Sequence, residues 1–154
     1  MDKPKKKQGL SGFLEILLLI CMTVVAGILI SLPWSIPALT GQEPGMEGNW
    51  FYKHLVVLLV TGILAESMLW QARGLMHSVR AGKPFGASVP RRLRWMGVES
   101  LLLAAFFLLS FFWLLRVIML ALAAALAVAG LMLFVFAELL YQAGEYKKEN
   151  DMTI

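Results

Sequence analysis

The apolar residues of this chain fall into long runs rather than alternating or one-sided patterns. The first run, Gly12 to Leu32, contains one charged residue, Glu15. It exceeds a signal-peptide core of about 7–15 residues and suits a spanning helix of about 20. Pro33 and Pro37 are expected to end that helix. The second run, about 51–72, is interrupted by Glu66. Only Gly74 weakens the helix beyond it, so it is expected to continue to about Ala81, before Gly82 and Pro84. Ser88 can cap the next helix, with Pro90 tolerated in its first turn.

From Leu101 to Ala137 the chain is apolar apart from Ser110 and Arg116. As one straight helix this stretch would be about 55 Å long, nearly twice the hydrocarbon thickness. It must fold back, and the turn is placed at Trp113–Val117, with Arg116 at the outer surface. The pattern therefore predicts an all-α membrane protein, a single membrane domain over 1–154. Four transmembrane helices, at about 12–32, 51–72, 95–114 and 118–142, are expected to form an antiparallel bundle. A cytoplasmic loop covers 73–94, and a short polar tail covers 143–154. The fourth span carries Ala121, Ala123, Ala124, Ala125, Ala127, Ala129 and Gly130. Small residues let helix backbones approach closely in a bilayer, so this helix is expected to pack centrally.

Charge adds orientation. Lys3, Lys5, Lys6 and Lys7 precede the first span. Arg73, Arg80, Lys83, Arg91, Arg92 and Arg94 lie between the second and third, and Lys147 and Lys148 follow the fourth. Only Lys53 and Arg116 fall on the other side. This bias puts both termini and the basic segment in the cytoplasm. Residues 33–50 carry Glu43 and Glu47 but no Lys or Arg, and cross easily. Trp34, Trp50 and Tyr52 lie where an interfacial aromatic belt is expected. Arg91, Arg92 and Arg94 sit at a helix N-terminus, where the dipole disfavours cations. Anionic headgroups explain them better.

Composition agrees: 59% of the residues are hydrophobic, and the mean hydropathy is +0.73. A soluble domain of 154 residues has too little interior for that. The net charge of +4 flanks the apolar runs, so membrane lipids are the expected anions and no direct nucleic acid binding is expected. Cys21 stands alone and forms no intrachain disulfide.

Each span holds one acid: Glu15, Glu66, Glu99 and Glu138. All four are expected at similar depth, toward the cytoplasmic ends. Charges inside a membrane are costly and are usually paired or functional. A proton or cation site is one reading of these acids. Pairing of each with a nearby Arg or hydroxyl, locking the bundle, is the expected one, and Glu66 and Glu138 fit it least securely. Helical spacing puts Glu66, Trp70, Arg73 and His77 on one face, and Arg92, Trp95, Met96 and Glu99 on another. His54 and His77 lie near opposite faces, so no shared metal is expected. No nucleophile has a matched base, and the glycines of RAGKPFG lack phosphate-loop spacing. No catalytic residue, cofactor or metal site is expected, nor is enzyme activity. Ser110 and Thr61 are expected to bond to their own helices.

Three segments carry a family resemblance: TGILAESMLWQARGLM, GKPFGASVPRRLRWMG and the terminal FVFAELLYQAGEYKKENDMTI. The chain resembles the bacterial membrane proteins of domain of unknown function 2975, from about residue 10 to the end. Glu149, Asn150, Asp151, Met152, Thr153 and Ile154 fit the family's closing motif, with Met152 where Leu is usual. Gly86 stands where Ser is frequent, and the outer connection between spans three and four is nearly absent. The resemblance implies a four-helix protein of the bacterial plasma membrane, of a kind often encoded beside a small helix-turn-helix regulator. It also implies a docking tail.

The functional expectation is a membrane-bound accessory or sensor protein working with that regulator. Arg73, Arg80, Lys83, Arg91, Arg92, Arg94, Glu149 and Asp151 are its candidate docking or headgroup contacts. The alternative is a small transporter or channel subunit that uses the carboxylates and works as a homo-oligomer.

Overall fold

A computed structural model describes residues 6–40, 50–81, 86–114 and 116–152; the side chains at 6–11, 39–40 and 151–152 lie outside the description. The described chain is all helix. Helix α1 spans Lys6–Thr40, α2 Trp50–Arg80, α3 Ser88–Leu114 and α4 Ile118–Met152. All four are long and apolar enough to cross a membrane.

Pro33 and Pro37 do not end α1, which runs through both to Thr40. Proline removes a donor from the ladder, here for the carbonyls of Leu29 and Pro33, but a helix can continue through it where packing holds both sides. Nearby, Ser31 Oγ donates to Ile28 O at 2.9 Å, and Ser35 Oγ to Leu32 O at 3.5 Å. Leu32 and Ile36 also pack on Phe51 at the start of α2, holding the last turns of α1 in place. Outward, α1 shows Phe13, Ile16, Ile20, Val24 and Ile28, the apolar exterior of a helix facing lipid.

Helix α2 continues to Arg80 as its pattern predicts, and α3 begins at Ser88. Ser88 is the first helical residue rather than the one before it, and Pro90 falls in the first turn. The segment 73–94 is therefore two helix ends joined by a short connection. Leu114 ends α3 and Ile118 starts α4. Met119 N–H donates to Arg116 O at 2.9 Å, closing the expected turn, and Arg116 is exposed. The tail is not a separate segment, since α4 stays helical to Met152.

Among the described residues, backbones come within 8 Å only between chain neighbours: α1 with α2, α2 with α3, and α3 with α4. The expected bundle is thus open between α1 and α4. Leu29 meets Gly62, and Ile36 packs on Phe51. Ser67 meets Glu99, and Val57 packs on Leu103 and Phe107. Ser100 meets Leu126, and Arg94 meets Glu138. In each pair, residue numbers fall on one helix as they rise on the other.

The central helix is α3, not α4. It contributes Leu103, Ala104, Phe107, Ser100 and Ser110 to the interior. Helix α4 touches α3 along one stripe, the buried Ala123, Gly130 and Ala137, each seven residues apart. Ala121, Ala124, Ala125 and Ala129 are exposed on its other faces. A Cβ at Gly97 would lie 3.1 Å from Gly130 O, and one at Gly130 3.1 Å from Gly97 O. The two glycines let the backbones cross there. One helical turn away, Ser100 Oγ donates to Leu126 O at 2.7 Å. Such interhelical bonds contribute about 0.6–2 kcal/mol in a bilayer.

Candidate functional site

The polar side chains gather where α1 and α3 begin and α2 and α4 end. Arg80 Nη1 lies 2.9 Å from Glu15 Oε2, joining α2 to α1. Arg94 Nη2 lies 2.9 Å from Glu138 Oε2, joining α3 to α4. Ser67 Oγ donates to Glu99 Oε1 at 2.6 Å, joining α2 to α3. One acid therefore fastens each pair of neighbouring helices. The strengths differ. Both members of the Arg94–Glu138 pair are about half exposed, so it contributes about 1 kcal/mol or less.

Glu66 takes no part in these three links. Its Oε2 is buried without a hydrogen bond, as is Oε2 of Glu99. Thr61 Oγ1 is buried and unpartnered too, contrary to the expected bond to its own helix. Ser110 does back-bond, donating to Phe106 O at 2.7 Å.

The acids are not at one depth. Glu15 pairs with Arg80, whereas Glu66 lies fourteen residues before Arg80, about 21 Å along α2.

Two pockets, both lined by Trp70, lie along the α2 face that carries Glu66, Trp70, Arg73 and His77. The shallower, nearer the charged end and about 290 Å³, is lined by Glu15, Trp70, Arg73, Gly74, His77 and Arg92. Arg92 lies directly against Gly74, where any Cβ would collide with the guanidinium. From there Arg92 Nη1 reaches Gln71 Oε1 at 3.5 Å. The Arg73 guanidinium sits 5.9 Å from the Trp70 ring centre. The deeper, about 410 Å³, is lined by Met22, Leu29, Ile63, Glu66, Ser67 and Trp70.

The remaining candidates spread over the surface of this end. Arg91 is exposed beside Trp95. Arg94 also lies 5.8 Å from the Tyr141 ring centre. Glu149 is exposed near the end of α4. Lys83 and the Asp151 side chain lie outside the described residues. His54, far along α2 from His77, donates from Nδ1–H to Trp50 O, 3.0 Å away.

Three contributors were not singled out from the sequence: Ser67, Gly74 and Tyr141. Ser67 adjoins Glu66, and Gly74 lies one residue after Arg73, so both had a local signal. Nothing local shows that their partners are Glu99 and Arg92.

No curated protein and no solved structure matches the chain. One family pattern does, over residues 35–154. It begins later than the resemblance from about residue 10 and leaves out most of α1. It covers the basic segment and the closing Glu149–Ile154 motif, well over half of the sequence. The chain therefore belongs to the family described as Protein of unknown function (DUF2975).

Proposed function

We propose that this is a non-enzymatic accessory or sensor protein of the bacterial plasma membrane. In this reading both termini are cytoplasmic and the helices alternate in direction, an antiparallel arrangement. A small cytoplasmic helix-turn-helix regulator is held at the charged end. The observation that supports it is the gathering of ionic side chains at one end of all four helices. The lysine and arginine bias assigns that end to the cytoplasm.

Helix α4 has 35 residues, about 52 Å against about 30 Å of hydrocarbon. Its final turns then stand clear of the bilayer and carry Tyr141, Glu145, Lys148 and Glu149. With Arg91 and Arg94 they form a mixed-charge surface suited to a small helical partner.

The test is co-purification of the full chain with the small regulator encoded beside it. Capture is expected, with loss on deleting residues 143–154. Absence of capture, together with unchanged regulator output when the membrane protein is missing, would discard the reading.

The buried, unpartnered oxygens of Glu66 and Glu99 favour a second reading, a transporter or channel subunit. Four helices are few for that task, so it requires a homo-oligomer. Flux into liposomes that is unchanged by Glu66→Gln would remove the acid from such a mechanism.

A further inference from the structure

The deeper pocket combines two features that apolar crevices do not share. Met22, Leu29, Ile63 and the Trp70 indole line it together with Glu66 and Ser67. Oε2 of Glu66 is buried and has no hydrogen-bond partner. Ser67 commits its hydroxyl to Glu99, and Oε2 of that carboxylate, behind the lining residues, is again buried and unpartnered. A buried carboxylate oxygen without a donor or cation is destabilising.

We propose that this pocket binds a lipophilic cation, an organic ammonium or phosphonium group on an apolar body. Such a ligand suits this lining: its charge lies beside the Glu66 carboxylate, and its body on Met22, Leu29 and Ile63. The Trp70 ring adds a face that attracts cations. The volume of about 410 Å³ falls in the range of about 300–1,000 Å³ usual for small-molecule sites.

Other occupants fit less well. A hard metal ion asks for six or more oxygens, and these walls are mostly aliphatic. An anionic amphiphile would settle its head on Arg73 and Arg92, in the shallower pocket. Its chain would then lie across Glu66. Access is lateral, because the pocket lies between α1 and α2 and two of its lining residues, Ile63 and Trp70, are exposed. A cation already dissolved in the bilayer interface reaches Glu66 without crossing the charged end.

This inference deepens the sensor reading by naming what the pocket takes, and rests on that reading only for the response that binding triggers. Failure to capture the regulator would leave the site untouched. Failure of binding would leave the docking reading in place.

The experiment is equilibrium dialysis of the full chain in phosphatidylcholine nanodiscs, with empty nanodiscs as reference. The probes are tetraphenylphosphonium and its anionic counterpart of the same shape, tetraphenylborate. Saturable binding of the phosphonium, one per chain, is expected, with no saturable binding of the borate. Glu66→Gln, which keeps the side chain's shape, is expected to weaken phosphonium binding at least tenfold. Ile63→Trp, which fills the pocket without changing charge, is expected to block it. Equal or tighter binding of the borate would overturn the proposal. So would phosphonium binding that is absent, or indifferent to both substitutions while the melting temperature is unchanged.

Discussion

Ser67 on α2 donates a 2.6 Å hydrogen bond to Oε1 of Glu99 on α3, while Oε2 of the same carboxylate is buried with no partner. Ser67→Ala would strip the acid of its one donor. A hydrogen bond to a charged group contributes about 1.5–3 kcal/mol, and a loss of that size is expected. Glu99→Gln keeps an acceptor for the hydroxyl and should lose less. A double-mutant cycle on unfolding in detergent checks this. Coupling below about 0.5 kcal/mol would show that the pair does not act as a unit.

Gly97 and Gly130 hold the α3–α4 crossing. A side chain at either would meet the partner's carbonyl oxygen. Gly130→Leu is expected to push the helices apart and lower stability by about 1–3 kcal/mol, as overpacking does. Gly130→Ala should cost less, because it adds a single methyl group at the crossing where leucine adds a branched chain. Thermal unfolding of both variants orders them, and a leucine variant as stable as the parent would contradict the close crossing.

Enlargement at Gly74 should cost less, because a Cβ there meets only the flexible end of Arg92. It displaces that guanidinium, which also reaches Gln71. Gly74→Leu combined with Arg92→Ala should therefore be closer to Arg92→Ala alone than the sum of the two losses allows. Additive losses would mean the two residues are not in contact.

The Arg94–Glu138 pair is expected to matter little to stability. Its members are 52% and 53% exposed, so a double-mutant cycle should give coupling of about 0.2–1 kcal/mol, shrinking with added salt. A coupling of several kcal/mol would mean that this end is occluded in the assembled protein.

Reporter fusions check the orientation. A fusion at Gly82 should remain cytoplasmic, and one at Gly45 should be exported. An exported Gly82 fusion would invert the proposed topology.

The four spans were legible because long apolar runs have few explanations. The α3–α4 turn was legible from length alone, although no Gly or Pro marks it. Where α1 stops was not legible. The rule that proline breaks helices holds in water, whereas the packing of Leu32 and Ile36 on Phe51 keeps this helix going. The place of α4 was misread because a count of alanines does not say which of them face a neighbour. Only Ala123, Gly130 and Ala137 form the buried stripe. The acid face of α2 followed from helical spacing. That Ser67 would bridge to Glu99, and that Glu66 would keep an unpartnered oxygen, depended on how α2 and α3 slide past each other. No local pattern records that.

Each helix here packs on the one made just before it. As the chain emerges, α2 completes its contact with α1, α3 with α2, and α4 with α3, and no early surface waits for a late segment to close it. Contacts of this kind have short loop-closure costs and few opportunities for wrong pairing. The ends of the series are then held by one interface each. Helix α1 can leave α2 without disturbing the α3–α4 hairpin, so unfolding should begin at the N-terminal helix and leave the later pair intact.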